Sequence, residues 1–187
     1  MRPEKMTTKS QEALRQAMEL AARRGAPEVV PEHLLLAILS QEDGVGFPLL
    51  QKAGANVDAI SQDATKVTNG LPRVTGGAEP SFSRRTLEVL RKAEDEASQL
   101  KDDFVSVEHF VLAMAKHDAQ LKTALELHGN VTYERLLGAL AQVRGNQRVT
   151  DRDPEGKFQA LDKYCRDLTE AARKGKNDPV VGRDEEI

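Results

Sequence analysis

The chain of 187 residues has one cysteine and no tryptophan, and its aromatics amount to only 4%. A single thiol excludes an internal disulfide framework. With 39% apolar residues and so few rings, the core has to be made of Leu, Ala, Val and Met, which is the material of helix packing rather than of sandwiches. An all-α class is predicted. Positive charge is not in excess either: 27 Lys and Arg stand against 30 Asp and Glu, for a net charge of -3. That leaves no basic stripe to neutralise phosphates and argues against nucleic acid as a partner. The opening Met1-Arg2-Pro3-Glu4-Lys5 leads into no apolar run, so neither a signal peptide nor a spanning helix is predicted, no membrane partner is expected, and the expected compartment is the cytoplasm. The phosphate-cradling pattern G-x-x-x-x-G-K-[ST] occurs nowhere, so no catalytic residue is assigned and the chain is not expected to be an enzyme by itself.

What the chain does contain is a repeat. Val29-Val30-Pro31-Glu32-His33-Leu34-Leu35-Leu36-Ala37 returns as Val105-Ser106-Val107-Glu108-His109-Phe110-Val111-Leu112-Ala113, at a spacing of 76 residues. The same offset, without a gap, pairs residues 6–38 with residues 82–114 and finds 10 identities in 33 positions. Self-similarity of this kind means that one supersecondary unit is used twice, with the copies packed together.

Helical spacing organises each copy. Thr7 is placed to cap a helix over residues 8–24, stopped by Gly25. Pro31 opens a second at N1, and its unbroken apolar run reads as a helix enclosed by neighbours. Leu49, Leu50 and Ala53 give a short third helix closed by Gly54, and Asn56 caps a fourth that carries Val57, Ile60 and Ala64. After a Gly- and Pro-rich connector, Ser83 takes the place of Thr7, with Leu87, Leu90, Ala93, Ala97 and Leu100 assigned to the inward face. Ser106 caps the second central helix. Leu121, Leu125 and Leu127 form the next, ended by Gly129, and Asn130 or Thr132 caps the last, which carries Leu136, Leu137, Leu140 and Val143. The expected architecture is all-α, two four-helix repeats at about 6–69 and 82–143 within a domain of residues 1–143. Residues 144–157 contain a single apolar side chain besides a proline and read as a flexible linker. A chain of that length spans an r.m.s. distance of about 20 Å. From Phe158, apolar residues recur at helical spacing to Gly175.

At this point the sequence resembles the ClpB-type protein disaggregases of the Clp AAA+ ATPases over essentially its whole length. The doubled V-x-x-E-H-x-x-L-A helix is similar to the two-repeat Clp amino-terminal domain, and Val143-Arg144-Gly145 through Val149-Thr150 to the ClpB linker. Leu161-Asp162-Lys163-Tyr164, Asp167-Leu168-Thr169 and the final ten residues look like the start of a truncated first AAA+ module (residues 158–187). Within the last piece Val180, Val181, Gly182 and Arg183 resemble the segment that packs around adenine, although the family more often has Ile at the second position. Cys165 and Asn177 likewise stand where Gly and Leu are commoner. The resemblance implies a module that binds unfolded or aggregated polypeptide for an ATP- and Mg-dependent homohexamer cooperating with a DnaK-type co-chaperone system, the fragment itself being monomeric. The alternatives are an adaptor-docking module or a regulator of the ATPase pore.

Thr7, Asp102 and Glu108 match polar positions implicated in polypeptide binding in that family, while Thr7 and Glu108 also suit helix ends, and Asp102 a plain loop charge. Packing of the two copies about a pseudo-twofold would bring all three to one seam, and seams make clefts. Met6, Leu14, Met18, Leu90 and Phe110 are candidate walls of an apolar groove, with core as the competing assignment. His33 and His109 each follow a Glu, but no H-E-x-x-H or paired-cysteine spacing accompanies them, so no metal is assigned. Cys165 lies on an apolar stripe and reads as packing rather than as a nucleophile.

Overall fold

The computed structural model describes residues 2–74 and 79–158. The chain divides into two units, Met1–Glu155 and Gly156–Ile187, and only residues 156–158 of the second are described. The helix expected beyond Phe158, Cys165 and the adenine-like segment at residues 180–183 lie outside the described residues.

The first unit carries α1 (Thr8–Arg23), α2 (Pro31–Leu39), α3 (Gly46–Lys52) and α4 (Val57–Asn69), then α5 (Arg84–Gln99), α6 (Val107–His117), α7 (Ala119–Leu127) and α8 (Tyr133–Arg144). The second four repeat the first four, and α1 and α5 share both their length of 16 residues and the offset of 76. Thr7 and Ser83 cap their helices alike, each hydroxyl accepting at 3.2 Å from the backbone N–H three residues on. The central helices α2 and α6 are buried along nearly their whole length, from Pro31 to Ile38 apart from Leu36 and from Val107 to Ala115. Their lack of a polar stripe is explained by enclosure, since α6 meets α5, α7, α8, α1, α2 and α3.

Two short parallel pairings cross-link the copies. Strand β1 (Glu28–Val29) pairs with β2 (Ser81–Phe82), and Met6 bridges Val105. Val29 against Phe82 and Val105 against Met6 are the same pairing with the repeats exchanged, because each partner moves by 76 residues. The copies are therefore related by a pseudo-twofold axis that generates two equivalent seams. On that axis the turns after α3 and α7 touch, where the Asn56 N–H donates to the His128 carbonyl at 2.7 Å.

Three expectations are corrected. Helix α3 starts at Gly46 rather than near Leu49, with Pro48 inside its first turn, where a proline costs no hydrogen bond. Leu87 is 54% exposed: the inward stripe of α5 runs through Thr86, Val89, Leu90, Ala93, Glu96 and Ala97, two of them polar, and position 87 falls beside it. Finally, residues 145–155 are not a free linker, since the first unit extends to Glu155 and Val149 is fully buried. One well-placed aliphatic side chain and several polar anchors do what a low apolar content argued against.

Candidate functional site

The seam built on Met6 and Val105 gathers the three polar residues singled out from the sequence. The Thr7 N–H donates to the Val105 carbonyl at 3.0 Å, and the Val105 N–H to the Lys5 carbonyl at 2.8 Å. The tight turn after α5 puts Asp102 beside the first turn of α6, where Glu108 sits. Arg144, at the end of α8, reaches both carboxylates through one nitrogen, at 2.8 Å from Asp102 and 3.4 Å from Glu108.

Asp102 is the centre of this network. Its carboxylate also meets His109 Nε2 at 2.9 Å and accepts from the Val149 N–H at 2.8 Å. Burial alone would raise its pKa, but the bonds from His109, the Val149 amide and Arg144 outweigh burial and hold the carboxyl below the usual carboxylate range. His109 completes the helix start, its Nδ1 accepting from the Ser106 backbone N–H at 2.9 Å. His33 does the same for Val30 at 3.2 Å, which explains the doubled Glu-His pair as a variant capping box rather than a metal motif. The repeats differ here in one respect. Ala26 stands 76 residues before Asp102, so His33 Nε2 has no partner among the described residues. Burial and then Arg24 push His33 down to about 4, which keeps it neutral.

At the twin seam Glu32, the counterpart of Glu108, is held by Arg85 at 2.9 Å, and the same guanidinium takes Asp118 at 2.7 Å. Lys9 occupies the place of Arg85 at the first seam. Arg144 is left to neutralise Glu108, whose Oε2 makes no hydrogen bond among the described residues. Glu155 lies beside it, itself buried with an unpartnered Oε1. Burial first, and the neighbouring Glu108 carboxylate, push Glu155 up to about 7.

Thr7, Glu108 and the Asp102 side chain are all fully buried. As the domain stands they hold the seam together. Beside them lies a cleft of about 300 Å³ lined by Lys5, Ala97, Asp102, Asp103, Phe104 and Val105, among others. Of the apolar groove candidates, Met6, Leu90 and Phe110 are core, whereas Leu14 and Met18 are half-buried on α1. Sequence reasoning did not find Arg144, Val149 or Glu155 as parts of the site, because nothing in a helix-end arginine or a polar tail announces its tertiary partner. His109, to which the sequence assigns no metal, has its helix-start role signalled by its spacing of three from Ser106.

The family described as Clp repeat (R) N-terminal domain matches residues 5–128. The chain belongs to that family. Among curated relatives, the chaperone protein ClpB of Corynebacterium diphtheriae is 44% identical over 97% of this chain, and ClpB of Mycobacterium bovis 41% over 97%. In each case the match spans 21% of the relative's own length. The Hsp104 N-terminal domain from Candida albicans shares the fold at a TM-score of 0.69 and 23% identity, covering 81% of this chain and 99% of that one. A complex of a ClpV N-domain with a VipB peptide is similar at a TM-score of 0.62 and 25% identity, over 73% and 85% of the two chains. The family match thus reaches from the first repeat into the second, and the similarity to the ClpB relatives extends over 97% of the chain.

Proposed function

We propose that this domain is the polypeptide-receiving module of a ClpB-type chaperone, taking up unfolded or aggregated chains and passing them to the ATPase ring of a longer protein. The observation that carries the reading is that the Asp102 seam already holds a non-helical stretch of polypeptide by its main chain. The Val149 N–H bonds to Asp102 and its carbonyl to the Asp103 N–H at 2.9 Å, while the Arg152 carbonyl takes the Thr8 N–H at 2.8 Å. Contacts of this kind read backbone rather than sequence, as a receptor for many clients requires. Thr7, Asp102 and Glu108 shape that receptor. ATP and Mg belong in this reading to the longer protein, as do the homohexamer, the DnaK-type co-chaperone, and the cytoplasm as its compartment; residues 180–183 contribute to the nucleotide site there, and the isolated chain is a monomer.

The similar ClpV N-domain, solved with a VipB peptide, favours a second reading in which the domain docks a specific adaptor segment. Fluorescence anisotropy separates the two. Saturable binding of the chain to a permanently unfolded protein, and none to a folded protein of similar charge, is the expected result. Binding only to a folded partner overturns the first reading in favour of the second.

A further inference from the structure

We infer that residues 148–155 are a built-in occupant of the Asp102 seam, a strap that clients must displace in order to bind there. The inference rests on the proposed function and adds to it the mode of recognition and its regulation.

The strap is held by few contacts. Val149 and, near its end, Pro154 are its buried apolar side chains. Three hydrogen bonds fix its backbone, from the Val149 N–H, to the Val149 carbonyl and to the Arg152 carbonyl, and Glu155 closes its end beside Glu108. Against these stands the conformational entropy of ordering eight residues, so the docked state is marginal and exchanges readily with a released one. A client segment with an aliphatic side chain and a free backbone can reproduce the Val149 and main-chain contacts, while the Arg148–Asp103 ion pair at 3.7 Å and the buried Glu155 are particular to the strap.

The pseudo-twofold supplies an internal control. Among the described residues the twin seam completes its network from within α5, where Arg85 closes Glu32 and Asp118. A cleft of about 390 Å³, lined by Arg84, Arg85, Glu88, Val89 and Asp118 among others, adjoins it. Among the described residues, the segment after α4 makes one comparable bond, from the Val74 N–H to the Gly25 carbonyl at 2.9 Å, yet Val74 remains 48% exposed. The buried Val149 is therefore a property of the strap and not a requirement of the repeat fold. With the strap in place, the main-chain N–H groups of Thr8 and Asp103 are taken; with it gone, both become donors for an incoming chain, one at the entrance of α1 and one beside Asp102.

The test uses the whole chain and its Val149→Asp variant, with reduced, carboxymethylated α-lactalbumin as the unfolded probe and amide exchange at Thr8 and Asp103 as the readout of the strap. In the variant both amides are expected to exchange at least about tenfold faster and the probe to bind about tenfold tighter, as follows when the competent state is no longer scarce. Val149→Ala, which keeps the site apolar, should give a smaller change in the same direction. Faster exchange with unchanged probe affinity overturns the strap while leaving the proposed function standing. Exchange unchanged in both variants also overturns it, since Val149 would then not be what holds the segment. Failure of every chain to bind the probe overturns the proposed function, and this inference with it.

Discussion

Replacing Asp102 by Asn tests whether this carboxylate holds the seam together. The side chain is fully buried and serves three partners, His109 at 2.9 Å, Arg144 at 2.8 Å and the Val149 N–H at 2.8 Å. Asn has the same shape, but it turns an NH2 toward one of these donors and leaves Arg144, whose side chain is only 7% exposed, with Glu108 alone at 3.4 Å. Removing one member of a buried ion pair costs about 3 to 5 kcal/mol. The remaining contact to Glu108 puts the expectation at the low end, about 3 kcal/mol. For a unit of this size each kcal/mol lowers the melting midpoint by about 2 to 4 °C, so Asp102→Asn should melt about 6 to 12 °C below the parent at neutral pH. Far-ultraviolet circular dichroism measures it, with the exposed Asp95→Asn as a control expected to stay within about 0.5 kcal/mol. The sign with pH follows from the depressed pKa of Asp102: its contribution is complete above the ordinary carboxyl value of 3.8 and is lost as pH falls through the lower native value. The gap between parent and variant should therefore be full at neutral pH and shrink only under strong acid. A variant that melts within about 2 °C of the parent would refute the assignment of Asp102 as the centre of the network.

Glu155 should behave oppositely. Its pKa in the docked strap is raised from 4.5 to about 7, so docking is fully supported below the undocked value and loses that support as pH rises through about 7. Amide exchange at Thr8, corrected for its intrinsic pH dependence, should accelerate between these limits in the parent and lose that dependence in Glu155→Gln. Gly129 adopts a φ of +150°, and a Cβ there would lie 2.4 Å from the Gly54 carbonyl oxygen. Gly129→Ala should accordingly cost about 2 to 4 kcal/mol by denaturant melting, through strain at the contact between the two repeats.

Much of this architecture was legible in the sequence because it is local and it is repeated. The 76-residue offset, the caps at Thr7 and Ser83, and the apolar runs of α2 and α6 are set by neighbours within a few positions. The resemblance picks out Thr7, Asp102 and Glu108, and the repeat supplies the physical reason for them to lie at one seam. What escaped was long-range and polar. Thr86 and Glu96 belong to the buried stripe of α5 because a carbonyl and a lysine meet them across the fold, at 2.6 Å from the Val29 oxygen and 3.1 Å from Lys116 Nζ. Leu87 lost its assigned place for the same reason. The segment after α8 looked unable to order itself because composition counts apolar residues, whereas docking depended on where the single Val149 landed and on a carboxylate placed to receive its amide.

The most direct test of the central claim is an NMR titration of the whole chain with a permanently unfolded protein, with a folded protein of similar charge as the control. Shifts centred on Thr8, Asp103, Val105 and Val149, seen with the unfolded ligand alone, are the result predicted for a seam that receives polypeptide. Shifts confined to the far side of the domain, or the same shifts with the folded control, would contradict it.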